Sequence, residues 1–382
     1  MPLPDDPRTA FVPAGDAIYL DTASNAPRLR TVDAALQAAW ADGARPWQLA
    51  WDDWEAWIER VRGLASRLFD AGHRAAPAGV ALVPSVAHAM STVAANWPLR
   101  AGDRIGIVDG EFPSALLPWQ ARCAATGAHL VAVDRREATS GFLALLERGD
   151  VALLVLSESH WRDGRRLDLD RVATRAREAG VPVVLDLSQS LGVLPCDVAR
   201  WRPAFAMSVG YKWWLAGKGL CALWVDADWR ERVQPLEQHW QGRMPAQVWR
   251  FEVDAAPPWR PGARRLDGGE VAEPLRLAIT EAALSQVLEW TPAAIAARLD
   301  MLLARLQATL VAAGLGDWCV TPRSPHLLGL APPAARLAAL REAFARERIV
   351  CIERDGVFRL APHLHVTPDD IDRVAAAILG AG

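Results

Sequence analysis

The sequence predicts an α/β protein in which helices cover a mainly parallel sheet, followed by a smaller α+β domain at the C-terminal end. Through the first two thirds of the chain, short apolar runs alternate with stretches of helical pattern, and this alternation predicts a parallel sheet. The runs are almost continuously apolar, which is typical of strands buried on both faces. Beyond about residue 270 the pattern changes to two long helices followed by few strands.

Six short apolar runs are the predicted strands of the sheet: Val80–Val83, Ile105–Val108, Leu130–Val133, Val151–Leu156, Val181–Leu185 and Leu220–Val225. The first helix carries an apolar face from Trp54 to Leu68 and is expected to be capped by Asp52 or Asp53. Further helical patterns lie between the runs: Ser91–Trp97, Leu117–Thr126 and Leu169–Ala179.

The stretch Val248–Gly269 is rich in Pro, Gly, Trp and Arg and has no clear period, so we interpret it as the boundary region. Beyond it the sequence predicts helices at 275–289, 293–313 and 334–346, a strand at 327–330, a hairpin turning at Asp355-Gly356, and a last helix with Thr367 as N-cap. The predicted divisions are an N-terminal segment (1–18) that packs on the small domain, a large domain (19–255) and a small domain (256–382).

The composition is that of a globular protein. Of its 382 residues 51% are hydrophobic and 23% are charged, which excludes a disordered or collagen-like chain. The net charge is −3 without a block of basic residues, so no nucleic-acid partner is expected. No apolar run reaches the roughly 18 residues of a membrane span, and the first residues lack a signal-peptide pattern. We therefore expect a cytoplasmic protein without a membrane partner.

Cysteine and lysine usage narrow the possible chemistry. The five cysteines are scattered and form no CxxC pair, which fits reduced thiols and predicts no metal site. Of the 42 basic residues only Lys212 and Lys218 are lysines. Any reaction that needs a lysine amine therefore has two candidates.

Three segments of the chain contain candidate functional residues. Asp186 directly follows an apolar run, where it either faces a ligand beyond the end of a strand or caps the next helix. Lys212 follows another apolar run among aromatic residues, so it is either a desolvated amine or a surface lysine. At Ser85-Val86-Ala87 a strand turns into a helix, whose first amides either bind a phosphate or are simply capped by the serine.

Taken together, these features resemble the class V aminotransferase family of pyridoxal-phosphate enzymes, which includes kynureninases, cysteine desulfurases and isopenicillin-N-epimerase-like proteins. Two segments resemble its cofactor site: Asp186…Gln189…Gly192 and, about 25 residues further on, Ser208…Tyr211-Lys212. Four others resemble further motifs of the family: Ile18–Ser24 its "YLD-A" opening, Glu111–Trp119 its ring-stacking segment, Arg264–Glu270 a kynureninase-like segment, and Phe358–His363 its C-terminal arginine motif.

The resemblance implies fold type I of pyridoxal-phosphate transferases, a homodimer, and an amino acid and keto acid as substrates. In this interpretation Lys212 forms the aldimine with the cofactor and moves the substrate proton, and Asp186 pairs with the pyridine nitrogen. The resemblance also implies that Gln189 contacts the phenolic oxygen, that Phe112 stacks on the ring face, and that Arg359 binds the substrate carboxylate. The phosphate would be bound by the amides of Val86 and Ala87 and by the hydroxyls of Ser208 and Tyr211.

The resemblance leaves the reaction open. An aminotransferase is the predicted activity; a kynureninase-like C–C hydrolase, a lyase or epimerase of the same family, and a catalytically silent cofactor-binding protein are the alternatives. The opening lacks the "GNSLG" pattern of kynureninases, and Cys351 lies in an apolar run only eight residues before Arg359, where we expect a buried strand residue instead of a desulfurase nucleophile. Roles for Lys218, His160 and His363 stay open.

Overall fold

The computed structural model describes residues 3–70, 76–244 and 252–381. Its strands, in chain order, are β1 Ile18–Tyr19, β2 Val80–Val83, β3 Arg104–Val108, β4 His129–Val133, β5 Leu153–Leu156, β6 Val183–Asp186, β7 Phe205–Val209, β8 Cys221–Val225, β9 Leu328–Leu330, β10 Ile349–Val350, β11 Ile352–Arg354 and β12 Val357–Leu360. Its helices are α1 Arg30–Asp42, α2 Trp51–Leu68, α3 Val86–Asn96, α4 Pro113–Thr126, α5 Ala138–Arg148, α6 Leu169–Glu178, α7 Val198–Trp201, α8 Ala227–Arg230, α9 Pro274–Trp290, α10 Pro292–Ala312, α11 Leu337–Arg346 and α12 Pro368–Gly380.

A seven-stranded sheet has the order β2-β8-β7-β6-β5-β3-β4. Only β8 within it runs antiparallel to its neighbours, β2 and β7, and the strands from β7 to β4 pair in parallel. The predicted α/β class with a mainly parallel sheet is therefore confirmed. All six predicted strands lie in this sheet, and β7 is the seventh.

The strands of this sheet are continuously apolar because helices cover both faces. Successive side chains of a strand point to opposite faces, and in β2 Val80 and Leu82 belong to one apolar core while Ala81 and Val83 belong to the other. Residues of α2, α5 and α6 complete the first core, and residues of α3 and α4 complete the second. Because both faces of the sheet are covered, polar and apolar residues do not alternate along these strands.

The C-terminal part contains a three-stranded antiparallel sheet in the order β11-β12-β9. Its hairpin turns at Asp355 and Gly356, as predicted, and both residues have the positive φ (50° and 79°) that a tight two-residue hairpin turn requires. Helix α12 begins at Pro368 with Thr367 as N-cap, also as predicted, and Thr367 forms a reciprocal capping box with Asp370. Helices α10 and α11 pack against α12.

The two ends of the chain meet in space. Strand β1 pairs in parallel with β10, with Ile18 opposite Ile349, and α9 packs against α1 and α2. The divisions after residues 18 and 255 stay predictions, and Val248–Phe251 of the predicted boundary region lie outside the described residues. Across the three described ranges, no helix combines the length and the apolar composition needed to cross a membrane.

One predicted helix cap is wrong. Helix α2 has Ala50 at its N-cap position and begins at Trp51, so Asp52 and Asp53 lie inside its first turn. There they make no capping bond, although their charges favour the positive end of the helix dipole. The apolar face of α2 begins at Trp54, about one turn after the first helical residue, Trp51. The predicted start of the helix was therefore too late.

A buried ion pair holds β2 in place. The guanidinium of Arg62 on α2 is fully buried and donates to Asp267 at 2.9 and 2.6 Å and to the carbonyl oxygen of Val80 at 2.8 Å. Asp267 also accepts from the amide of Leu82 at 2.8 Å. One hydrogen-bonded pair thus joins α2, β2 and the segment around residue 267.

Replacing Arg62 with alanine should lower the free energy of unfolding by about 3–5 kcal/mol, because the Asp267 carboxylate would be left without its buried partner. Arg60→Ala is the matched control on the same helix. The Arg60 side chain is 56% exposed in its pair with Glu281, and such pairs contribute about 0–1 kcal/mol. Urea unfolding of the cofactor-free protein measures both losses, and equal losses would contradict the role given to the buried pair.

Candidate active site

A cavity of about 300 Å³ lies at the carboxyl edge of the seven-stranded sheet. Seven of the nine site residues predicted from the sequence line it: Val86, Ala87, Phe112, Asp186, Gln189, Tyr211 and Lys212. They lie at or just beyond the carboxyl ends of β2, β3, β6 and β7. Because these strands all run in the same direction, their carboxyl ends meet at one edge, where open parallel sheets bind ligands.

Lys212 is only 6% exposed, an unusual burial for a lysine. Its Nζ lies 5.5 Å from the centroid of the Phe112 ring and 5.7 Å from that of the Tyr211 ring. Loss of solvation lowers the pKa of the amine to about 8, against the opposing effect of the Asp186 carboxylate. A pKa of about 8 leaves roughly a tenth of the amine neutral, and hence nucleophilic, at pH 7.

Lys218 also lines the cavity, but it is exposed. Its Nζ lies 5.4 Å from the centroid of the Tyr211 ring, where the ring face attracts the cation. Both lysines of the chain thus reach the same cavity, and burial, not position, is what distinguishes them. Lys212 is the buried one of the two.

Asp186 is the last residue of β6 and is buried. Its Oδ1 accepts from the amide of Ser188 at 2.9 Å. Burial raises the pKa of this carboxyl, whereas the Ser188 hydrogen bonds and the Lys212 charge lower it. A buried carboxylate at the cavity wall is therefore suited to pair with a cation that enters the cavity.

The loop after β2 presents the amino end of a helix to the cavity. Ser85 caps α3 and accepts from the amide of His88 at 3.0 Å, as predicted. Val86 and Ala87 form the first turn, whose amides have no acceptor inside the helix, and both residues line the cavity. Helix ends of this kind bind phosphate groups through their amides and their dipole.

This set of groups fits pyridoxal phosphate. The cofactor needs a neutral amine for its aldehyde carbon, a carboxylate for its ring nitrogen, a flat apolar surface for its ring and donors for its phosphate. Lys212, Asp186, Phe112 and the first turn of α3 offer these four features around one cavity.

Two predicted site residues do not line the cavity. The hydroxyl of Ser208 lies 3.3 Å from the carbonyl oxygen of Leu187 and 3.4 Å from that of Val209, pointing into the buried backbone. Arg359 on β12 is buried behind Trp161: it donates to the Trp161 carbonyl oxygen and, at 2.8 Å each, to Asp21 Oδ1 and Ser24 Oγ. Their predicted contacts to phosphate and to substrate carboxylate stay predictions.

The remaining candidates lie away from the cavity. His160 is buried with Nδ1 3.2 Å from Asp163 Oδ1, and His363 is buried beside the Phe11 ring. Cys351 is partly buried between β10 and β11, and burial raises its pKa to about 12, so the thiol keeps its proton. Among the described residues, no three His, Cys, Asp or Glu side chains are grouped closely enough to hold a metal ion.

Sequence reasoning missed Glu111 as a cavity residue. Its buried carboxylate accepts from the amide of Phe112 and from the hydroxyl of Ser157, both at 2.7 Å. Burial and the nearby charge of Asp186 raise its pKa. The available signal was a charged residue three positions beyond a predicted strand, which is weaker than the signal at Asp186, the residue directly after its strand.

Trp161 is a second missed residue of the cavity wall. It follows β5, its indole N–H donates to the carbonyl oxygen of Gly110 at 2.9 Å, and its ring meets that of Phe112 edge to face at 5.3 Å. The loop after β5 has no pattern that indicates a direction for this side chain, so only the structure places it.

Comparisons with known proteins identify the family of the chain. The profile of the family "Aminotransferase class-V" matches residues 18–260. Over 342 residues the chain is 26% identical to an uncharacterised aminotransferase of Bacillus subtilis, YcbU, covering 85% of each chain. It is 29% identical to a kynureninase of Deinococcus radiodurans over 72% of this chain and 67% of the relative. It is 27% identical to the isopenicillin N epimerase of Streptomyces clavuligerus over 79% and 80%.

A solved structure supports the fold independently. The chain superimposes on a variant of C-DES that carries glycine covalently linked to its pyridoxal-phosphate cofactor, with a TM-score of 0.81 and 19% identity. The match covers 98% of this chain and 99% of the other. The predicted fold type I of pyridoxal-phosphate enzymes is therefore confirmed.

Acylation of Lys212 should follow its lowered pKa. The amine is protonated and unreactive well below pH 8 and becomes reactive as the pH rises through about 8. In the Lys218→Arg variant, acetic anhydride labelling of the cofactor-free protein, mapped by peptide mass, should therefore reach half of its maximal rate near pH 8. A midpoint near the ordinary lysine value of about 10.4 would show that the amine is not desolvated.

Proposed function

Because this chain belongs to the class V aminotransferase family, whose members use pyridoxal phosphate, we propose that it is an aminotransferase that exchanges an amino group between an amino acid and a keto acid. The observation that carries the proposal is the buried amine of Lys212 in the same cavity as the buried carboxylate of Asp186. A homodimer and a cytoplasmic location stay predictions.

Each part of the cofactor is assigned to a different residue of the cavity. We assign the aldehyde carbon to Lys212, the protonated ring nitrogen to Asp186, the ring face to Phe112, and the phosphate to the first-turn amides of α3. Pyridoxal phosphate, when bound, supplies an electron sink for negative charge at the α-carbon of the substrate. Asp186 keeps that sink effective, because its charge holds a proton on the ring nitrogen.

Lys212 is the group that moves protons. Its pKa of about 8 lets the amine take a proton from the α-carbon of the substrate and return it to a second carbon at near-neutral pH. The Phe112 and Tyr211 rings, each within 6 Å of Nζ, keep water away from this exchange. After this proton has moved, addition of one water molecule would supply the oxygen of the keto acid, and the amino nitrogen would stay with the cofactor.

The described cysteines argue against desulfurase chemistry, which needs a reactive thiolate. Cys221 lines the cavity, but its Sγ donates to the carbonyl oxygen of Pro84 at 3.8 Å beside the amino end of α3, and burial raises its pKa to about 12. Cys351 lies outside the cavity. Neither sulfur is placed as a nucleophile toward a substrate.

A kynureninase-like hydrolase is the second candidate, supported by the aromatic wall of the cavity. Phe112, Trp161 and Tyr211 offer flat apolar surface that suits an aromatic substrate side chain. This activity would use the same cofactor contacts and differ only on the substrate side. Lyase or epimerase activity would also share them.

The covalent link to the cofactor can be mapped to one of two amines. After incubation with pyridoxal phosphate and reduction with borohydride, peptide mass mapping should place the adduct on Lys212. The Lys218→Ala variant should retain the adduct, and Lys212→Ala should lose it together with the visible absorption band. An adduct on Lys218, or the same band in Lys212→Ala, would overturn the assignment.

Single-turnover reactions distinguish the activities. An aminotransferase should release about one equivalent of keto acid per subunit from its amino-acid substrate without an acceptor, and a panel of amino acids identifies that substrate. Asp186→Asn should slow this step about 10²–10³-fold, the loss typical of one preorganised electrostatic partner. Release of anthranilate and alanine from kynurenine would favour the hydrolase. Solvent deuterium exchange without keto acid would indicate a lyase or epimerase, and no turnover a silent binding protein.

A further inference from the structure

The side-chain amide of Gln189 is bonded at both of its polar atoms. Nε2 donates to the carbonyl oxygen of Ala23 at 3.0 Å, and Oε1 accepts from the indole N–H of Trp213 at 3.0 Å. The main-chain oxygen of Gln189 accepts from Nε2 of His326 at 2.6 Å. Gln189 lines the cavity, whereas Trp213 and His326 are fully buried behind it.

These partners determine which way the amide faces. An indole N–H only donates and a carbonyl oxygen only accepts. If the amide were flipped, its NH₂ group would oppose the Trp213 N–H and its oxygen would oppose the Ala23 carbonyl. With both outer positions fixed, Nε2 keeps one N–H that Ala23 does not use, and this is the donor that the amide can offer to the cavity.

His326 supports this arrangement from the C-terminal part of the chain. Its ring meets the Trp213 ring edge to face at 4.5 Å and 87°. Since its partner is a carbonyl oxygen, Nε2 must carry the proton, and Nδ1 has no hydrogen-bond partner among the described residues. Burial lowers the pKa of His326 to about 3, so the ring stays neutral and the contact does not change near neutral pH.

We propose that Trp213 and His326 are positioning residues that orient the Gln189 amide so that its free N–H is available to the cavity, where it donates to the phenolic oxygen of pyridoxal phosphate. The inference rests on the proposed function. In the cofactor that oxygen is attached next to the carbon assigned to Lys212, and Trp213 is the residue after Lys212 in the chain. The acceptor and its donor are therefore expected on the same side of the cavity.

The pH titration of the visible band tests this role, because the band reports a proton shared between the Lys212 nitrogen and the phenolic oxygen. A donor to that oxygen withdraws electron density and lowers the midpoint. Trp213→Phe keeps the ring but removes the N–H, so the amide can turn. The midpoint should rise by roughly 0.4 to 1 pH unit, the equivalent of one net hydrogen bond.

Trp214→Phe is the matched control. Trp214 is equally buried and adjacent in the chain, but its indole N–H has no hydrogen-bond partner among the described residues. Its midpoint should equal that of the wild type. The other titratable groups that line the cavity are the same in every variant: Glu111, Asp186, Tyr211, Lys218 and Cys221.

A double-mutant cycle separates positioning from packing. Gln189→Leu should raise the midpoint at least as much as Trp213→Phe, and the double variant should shift no further than Gln189→Leu alone. His326→Leu should raise the midpoint as Trp213→Phe does, whereas His326→Gln, which keeps a donor, should have the wild-type midpoint. The two His326 variants replace Trp213→Phe in the test if Trp213→Phe does not fold. Melting temperatures of the cofactor-free variants identify folding failures.

An unchanged midpoint in folded Trp213→Phe, equal shifts in both tryptophan variants, or fully additive shifts in the cycle would each overturn the proposal. Failure of the proposed function is seen earlier and separately, as a wild-type protein in which borohydride produces no adduct on Lys212. In that case the spectral assay has no band to titrate, and both proposals are rejected together.

Discussion

Desolvation of one amine is the constraint on which the site depends. A lysine that remains in water is almost fully protonated near neutral pH, and one buried without any counter-charge is driven much further toward the neutral form. Here the aromatic rings of Phe112 and Tyr211 supply the burial, and the Asp186 carboxylate opposes it, so that the pKa of Lys212 settles at about 8. The amine can therefore both release and accept a proton under ordinary conditions.

The Asp186 carboxylate, which opposes the desolvation of Lys212, is itself held by a hydrogen bond. Asp186 ends a strand in the middle of the sheet, where the amide of Ser188 holds one of its oxygens. Glu111 shares the cavity, and burial together with the nearby charge of Asp186 raises its pKa. The cavity thus combines one buried amine with two buried carboxyl groups, of which Asp186 has the charge of Lys212 among the effects that lower its pKa.

Residues from the C-terminal part of the chain contact residues that line the cavity. Arg359 has both terminal nitrogens bonded, to Trp161 and to the Asp21–Ser24 segment, whereas its Nε has no partner among the described residues. Contacts of this kind join sequence positions more than 300 residues apart. Local pattern could not reveal them, which is why Arg359 was expected to face the cavity and Trp161 was not expected there at all.

The sequence by itself determined six of the seven strands of the large sheet and its mainly parallel class, because continuous apolar runs are local features. Together with the family resemblance it also selected nine site residues, of which seven line the cavity. Tertiary structure decided the strand order, the direction of the Ser208 and Arg359 side chains, and the burial that distinguishes two lysines sharing one cavity. Those outcomes depend on partners distant in the chain. Lys212 and Lys218 are six positions apart in the sequence and both lie within 6 Å of the Tyr211 ring, but Lys212 is buried and Lys218 is exposed, and loss of solvation lowers the pKa of Lys212 to about 8.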